Sequence, residues 1–129
     1  MNKKISVFLM AAGTIGLSAP AHAQADPAVL KGMYEMSRNV AGLTSYCVGK
    51  GFLKADSIKN ARKMVALMAG LPGVDTSGGN ASEAAGLRGK VRLSDGREEG
   101  IESSPPGVRQ WCKDSAQGVS DGLKSAAAG

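Results

Sequence analysis

The sequence predicts a mainly α-helical protein, a small three-helix domain held by one disulfide and carrying a glycine-rich insert. Three observations predict this class. Apolar residues recur at helical spacing in three segments, and the chain has only two cysteines. Its eighteen glycines among 129 residues are about twice the usual share. This length allows one domain, and it excludes a multi-span membrane protein and a large cofactor-binding enzyme.

Residues 1–23 have the pattern of a secretory signal peptide. Lys3 and Lys4 form a basic start, residues 5–17 are apolar, and Ala21-His22-Ala23 supplies a small-x-small cleavage pattern. The apolar run is shorter than the roughly 20 residues that a membrane span needs. We therefore expect export to the bacterial periplasm or secreted space, with no transmembrane span after processing. A retained membrane anchor is the alternative.

Removal of this segment changes the chemistry of the mature domain, residues 24–129. His22, the only histidine, leaves with the signal peptide, so no imidazole remains for a catalytic triad, a zinc site or a pH switch. The net charge falls from +5 to +3, because two lysines and no acidic residue are removed. We expect no metal and no cofactor. Export and the weak positive charge also argue against a nucleic-acid partner.

The first helix is predicted from Asp26 to about Val48. Asp26 can cap the helix, and Pro27 suits its first position. Two glycines inside this helix cost about 1 kcal/mol each relative to alanine, so packing must support it. We expect Lys31, Glu35, Arg38 and Asn39 to face water. The predicted buried stripe is formed by Val29, Met33, Met36, Val40, Leu43 and Cys47.

Two further helices follow the same reasoning. The second is predicted from Asp56 or Ser57 to Ala69 and ends at a glycine. The third is predicted to begin with Ser104 as its cap and Pro105 at its first position. Its inner face would contain Val108, Cys112, Val119 and Leu123, with Trp111 beside it.

Residues 73–103 form the glycine-rich insert. Residues 76–82 have the composition of a loop, whereas residues 90–93 and 97–101 can pair as a short β-hairpin around a turn at 94–96. Because an isolated two-stranded hairpin is marginal in water, this insert either packs on the helices or stays partly mobile.

Cys47 and Cys112 are predicted to form a disulfide, because two cysteines in a small exported domain most often pair. The bridge would close a loop of about 66 residues, which corresponds to about 4 kcal/mol in the chain-entropy estimate. Two free thiols are the alternative.

Two motif matches favour structural interpretations. Gly118-Val119-Ser120-Asp121-Gly122 matches the G-x-S-x-G string of serine hydrolases, but no strand precedes it and no histidine is available. We interpret the glycines as a smooth helix face. A second group of residues is interpreted as solvated acidic surface, with a calcium site or acid–base catalysis as alternatives: Asp95, Glu98, Glu99 and Glu102.

The function we predict is binding of another protein by a small exported, non-enzymatic bacterial protein. No nucleophile with a base, phosphate loop or cofactor motif is present in the sequence. One alternative is an acid- or stress-responsive periplasmic chaperone, and another is a small carboxylate-dependent envelope enzyme. The basic stretch from Lys50 to Lys63 can also contact an anionic envelope surface. The candidate partner-binding residues are Met33, Tyr34, Met36, Lys59, Arg62 and Trp111.

Overall fold

The computed structural model describes residues 25–129. The predicted signal peptide and its cleavage site therefore lie outside the described residues. The described part is mainly helical, with a short antiparallel hairpin and one disulfide, so the predicted fold class is confirmed. The elements, in chain order, are α1 (Pro27–Gly49), α2 (Asp56–Ala69), α3 (Gly79–Leu87), β1 (Lys90–Arg92), β2 (Glu98–Gly100), a 3-10 turn (Ile101–Ser103) and α4 (Val108–Ala128).

Helices α1 and α2 form where the sequence predicts them. The carboxylate of Asp26 accepts a hydrogen bond of 2.8 Å from the backbone N–H of Ala28, and Pro27 occupies the first helical position. After α1 the chain turns at Gly51, whose φ of +80° is a conformation that favours glycine. Helix α2 ends at Gly70.

Helix α3 is the element that the sequence analysis missed, since residues 76–82 were expected to be a loop. It packs on α1 through glycines on both helices. A Cβ on Gly42 would lie 2.2 Å from the carbonyl oxygen of Glu83, and one on Gly86 would lie 2.2 Å from that of Asn39. The two backbones therefore touch directly, which explains why α1 contains Gly42.

The hairpin is attached to α1 by one buried side chain. Strands β1 and β2 pair in the register Lys90↔Gly100 to Arg92↔Glu98. The amide of Asn39 donates to the carbonyl oxygens of Ser82 (2.9 Å) and Lys90 (3.0 Å) and accepts from the N–H of Arg92 (3.3 Å). The expectation that Asn39 faces water was wrong: the side chain is 1% exposed, because α3 and β1 cover this face of α1.

Helix α4 begins later than predicted. The chain first makes a turn in which the N–H of Gly107 donates to the carbonyl oxygen of Ser104 at 2.8 Å. Gly107 then adopts a φ of +112°, which is incompatible with a helix. The first helical residue is Val108, so the prediction of Ser104 as cap and Pro105 as first residue was wrong.

The core lies at the disulfide end of the molecule. Cys47 near the end of α1 is bonded to Cys112 near the start of α4, with a Cα–Cα distance of 5.9 Å, which confirms the predicted bridge. Leu43 and Ile101 complete the fully buried cluster. The partly buried residues that pack around it are Tyr46, Phe52, Leu53, Val91, Val108 and Trp111.

The predicted stripe on α1 is buried only in its second half. Leu43 and Cys47 are in the core, whereas Val29, Met33 and Met36 are exposed. In the first half of α1 the buried residues are instead Leu30, Tyr34 and Ser37. The apolar spacing was read correctly as helical, but α3 covers a neighbouring face and leaves the methionines outside the core.

Candidate functional site

An open apolar groove is lined by residues of α1, α2 and α4. Its volume is about 450 Å³. Met33 and Met36, two of the predicted binding residues, lie in it and are 44% and 54% exposed. We call it the methionine groove. Its lining residues are Gly32, Met33, Met36, Ser37, Val40, Met64, Met68 and Val119.

The composition of the groove is unusual for this chain. All four methionines of residues 24–129 line it, two from α1 and two from α2. Spacings of three and four residues place each pair on one side of its helix. Thioether side chains are flexible and polarizable, so they adapt to differently shaped apolar ligands.

Helix α4 contributes Val119 to the lining of the groove, and its Gly122 lies against one of the methionines. A Cβ on Gly122 would lie 2.8 Å from the terminal methyl of Met64, so the glycine makes room for that methionine. A Cβ on Gly118 would contact nothing within 4 Å. The predicted smooth face of α4 therefore receives one side chain, and no backbone packs closely on it within residues 25–129.

A second, polar cavity of about 490 Å³ adjoins the methionine groove, and we call it the polar pocket. Gly32 and Met36 line both cavities. The ammonium of Lys31 pairs with the carboxylate of Glu35, and this hydrogen bond raises the pKa of Lys31 and keeps it charged. The other residues that line the polar pocket are Ala28, Ser82, Arg92, Leu93 and Ser94.

The remaining predicted binding residues are distributed over other parts of the molecule. Tyr34 is 5% exposed, and its hydroxyl accepts a hydrogen bond of 2.8 Å from Arg38. Lys59 is exposed and pairs with Asp56 at 3.7 Å. Trp111 packs against the disulfide core. Of the six candidates, the structure therefore places only the two methionines in the groove.

The sixth candidate, Arg62, belongs to a charge cluster that joins three helices. The carboxylate of Glu83 on α3 accepts a hydrogen bond of 2.8 Å from Arg38 on α1 and contacts Arg62 on α2. Burial opposes the charge of Arg38, but its hydrogen bonds to Tyr34 and Glu83 outweigh burial and raise its pKa. Sequence analysis missed Glu83 because it did not predict α3.

Three residues of the predicted acidic group each pair with a different partner. Asp95 accepts from the Arg97 backbone at 2.9 Å and side chain at 2.6 Å, which lowers the pKa of Asp95. Glu98 pairs with Arg88 at 2.9 Å. The phenol of Tyr46 hydrogen-bonds to Glu102, which raises the pKa of Tyr46. Within residues 25–129, no three histidine, cysteine, aspartate or glutamate residues are grouped so that they could hold a metal ion.

No protein-family model, characterised protein or solved structure is significantly similar to this chain. The disulfide indicates a non-reducing compartment. None of the helices in the part of the chain that the structure describes combines the length and apolar character needed to cross a membrane.

Proposed function

We propose that the mature chain is a non-enzymatic binding protein of the bacterial periplasm or secreted space, which takes an apolar segment of another protein into its methionine groove. The observation that carries this proposal is the grouping of all four mature methionines around one open concavity. Exposed apolar concavities of this kind are typical of interaction sites.

The occupant that fits this groove is the apolar face of an amphipathic helix. Helix-in-groove recognition uses apolar anchors spaced by three and four residues, and flexible methionines adapt to such anchors. The opening is lined by side chains from α1, α2 and α4, so a ligand helix can lie along it in contact with all three.

Charge favours an acidic flank on the bound helix. The neighbouring polar pocket carries the cations of Lys31 and Arg92 against the single carboxylate of Glu35. The mature chain also carries a net charge of +3. Long-range attraction between this surface and an acidic partner would accelerate association and would weaken as salt increases.

The experiment uses a synthetic helical peptide with leucines on one face and glutamates on the other. Met36→Ser should weaken its binding to the mature, disulfide-bonded protein about tenfold, because an apolar contact is lost. Leu87→Ser is the matched control, since Leu87 is also 54% exposed but lies on α3 outside the groove. Equal effects of the two substitutions, or no binding by the wild type, would contradict the proposal.

One observation supports the chaperone alternative. Glu83 connects α1, α2 and α3 through Arg38 and Arg62, so loss of the charge of this one carboxylate would remove the ion-pair partner of two guanidinium groups. An acid-responsive chaperone would then expose apolar surface. Binding of a hydrophobic dye should rise in acid for the wild type and already at neutral pH for Glu83→Gln. A flat dye signal across the acid range would exclude this alternative.

A further inference from the structure

We propose that the methionine groove and the polar pocket form one continuous site for a long-chain carboxylate, such as a fatty acid. The alkyl chain would lie against the methionines, and the carboxylate would bind at Arg92 and Ser82. This ligand goes beyond the protein-binding role proposed above, although it would use the same groove, and the inference holds whether or not the groove also accepts a protein segment.

Gly32 lies where the methionine groove and the polar pocket adjoin. It lines both of them, and a Cβ built on it would meet nothing within 4 Å. Gly42 in the same helix permits close contact with α3, whereas Gly32 packs against nothing in the described part of the chain. Glycine destabilises a helix interior relative to alanine. At this position the missing side chain leaves open space where the apolar groove and the polar pocket adjoin.

Ser82 provides a hydrogen-bond donor at the wall of the polar pocket. This residue is only 3% exposed and lines the pocket. Its hydroxyl makes no hydrogen bond to any residue that the structure describes, although its carbonyl accepts one from Asn39. Because Ser82 lines the pocket, its hydroxyl can donate a hydrogen bond to a ligand oxygen there.

Arg92 provides the charge that a carboxylate requires. It lines the polar pocket and forms no ion pair within residues 25–129. Its backbone N–H donates to Asn39, which holds this part of β1 against α1. Lys31 is paired with Glu35 and also lies in the field of Asp75, so Arg92 is the cation of the pocket lining that can pair with a ligand carboxylate. Guanidinium groups bind carboxylates through two parallel hydrogen bonds.

The apolar end selects for chain length. The methionine groove is lined almost entirely by apolar side chains, and each additional buried methylene should tighten binding about fourfold. The combination of a long apolar groove with a singly charged polar end favours a monocarboxylate with a long tail over a dianion or a short acid.

The test measures binding of two amphiphiles with the same tail, dodecanoate and dodecyltrimethylammonium, to the mature disulfide-bonded protein at concentrations below micelle formation. Titration calorimetry should show dodecanoate binding at least tenfold more tightly than the cation. Octanoate should bind more weakly than dodecanoate, and acetate should not bind measurably. The methyl NMR signals of the four methionines should shift on addition of dodecanoate.

Three variants separate the parts of the site. Arg92→Gln should weaken dodecanoate binding about tenfold, whereas Arg97→Gln should not, because Arg97 lies on the hairpin turn, pairs with Asp95 and does not line the pocket. Gly32→Leu should fold normally, since the position is open, and should abolish the dependence of affinity on chain length by filling the open space where the groove and the pocket adjoin. Circular dichroism and thermal melting verify that each variant is folded.

Two outcomes would overturn the inference. One is equal affinity for dodecanoate and dodecyltrimethylammonium, and the other is an unchanged affinity for dodecanoate in Arg92→Gln. If the amphiphiles bind equally and the methionine signals still shift, the carboxylate site is wrong while the groove remains a candidate for protein binding. If the peptide with leucine and glutamate faces fails to bind but the dodecanoate results hold, the proposed function fails and this site stands.

Discussion

Alanine substitutions at two glycines of α1 should change the stability of the mature domain in opposite directions. Both glycines lie in the interior of the same helix, so both substitutions gain the same intrinsic helix propensity, about 1 kcal/mol. Their surroundings differ. A Cβ on Gly32 would meet nothing within 4 Å, whereas one on Gly42 would lie 2.2 Å from the carbonyl oxygen of Glu83 and 2.8 Å from the N of Leu87.

The expected magnitudes follow from these distances. Gly32→Ala should stabilise the domain by about 1 kcal/mol, which raises the melting temperature of a chain of this size by roughly 4–8 °C. Gly42→Ala must push α3 away by about 1 Å, because ordinary contacts begin near 3.5 Å. Overpacking of this kind costs about 1–3 kcal/mol, and here the atoms that must move belong to the backbone. We therefore expect a cost at the upper end of this range, which leaves a net loss of about 2 kcal/mol after the gain in helix propensity.

The assay is urea denaturation of each variant with the disulfide intact, followed by circular dichroism. The two free energies of unfolding should differ by about 3 kcal/mol, with unchanged dependence on urea concentration. If Gly42→Ala were as stable as Gly32→Ala, α3 would not pack on α1 in the manner described, and the explanation of the missed helix would be refuted.

Three other predictions test the remaining parts of the fold. Thiol labelling of the denatured, unreduced mature protein should find neither Cys47 nor Cys112 free, and reduction should lower the free energy of unfolding by roughly 4 kcal/mol; quantitative labelling of both would disprove the bridge. Asn39→Ala should destabilise the domain by about 2–4 kcal/mol, because it leaves buried backbone groups without partners, and hydrogen exchange should speed up in β1; unchanged exchange there would contradict this role. Glu102→Gln should lower the pKa of Tyr46 in an ultraviolet titration, because it removes the hydrogen bond from the Tyr46 phenol to a carboxylate that raises this pKa in the folded protein. Since the folded pKa is raised, the pair stabilises the protein at pH values below the ordinary pKa of tyrosine, and this contribution is lost as the pH rises through the folded pKa. An unaltered titration curve would show that the pair is not formed.

The elements that sequence analysis predicted correctly are those with several signals that agree. Helix α1 has a capping aspartate, a proline at its first position and regular apolar spacing, and α2 has the same spacing with a glycine stop. The disulfide followed from the cysteine count and the export signal. The hairpin followed from alternation on either side of a turn, and the structure places it where it was expected.

Helix α3 could not be predicted because its buried positions give no hydropathy signal. These positions are Gly79, Ser82, Ala85 and Gly86. Helix α3 packs closely on α1 because glycine has no side chain, and large apolar side chains do not contribute to this contact. Missing this helix also caused the error at Asn39, which lies on the face of α1 that α3 and β1 cover. The late start of α4 depends on the backbone conformation of Gly107, which composition does not reveal.

Sequence analysis named Met33 and Met36 as candidate binding residues, but it did not name Met64 and Met68, the other two methionines of the groove. Pairs of methionines at helical spacing are more typical of core filler than of a binding surface, yet the structure places both pairs around one open groove. Met33 and Met36 were also expected in the buried stripe, and only the position of α3 decides that they are exposed. Tyr34 is one residue away from Met33, yet it is rotated toward α3 and buried.

The most direct test of the proposed binding function is an NMR titration of methyl-labelled methionine in the mature protein with the leucine- and glutamate-faced peptide. Every methionine of residues 24–129 lines the groove, so the spectrum contains groove signals only. The signals of Met33, Met36, Met64 and Met68 should all shift with one common dissociation constant. Binding by calorimetry with four unshifted methyl signals would contradict the account, because the peptide would then bind elsewhere on the protein.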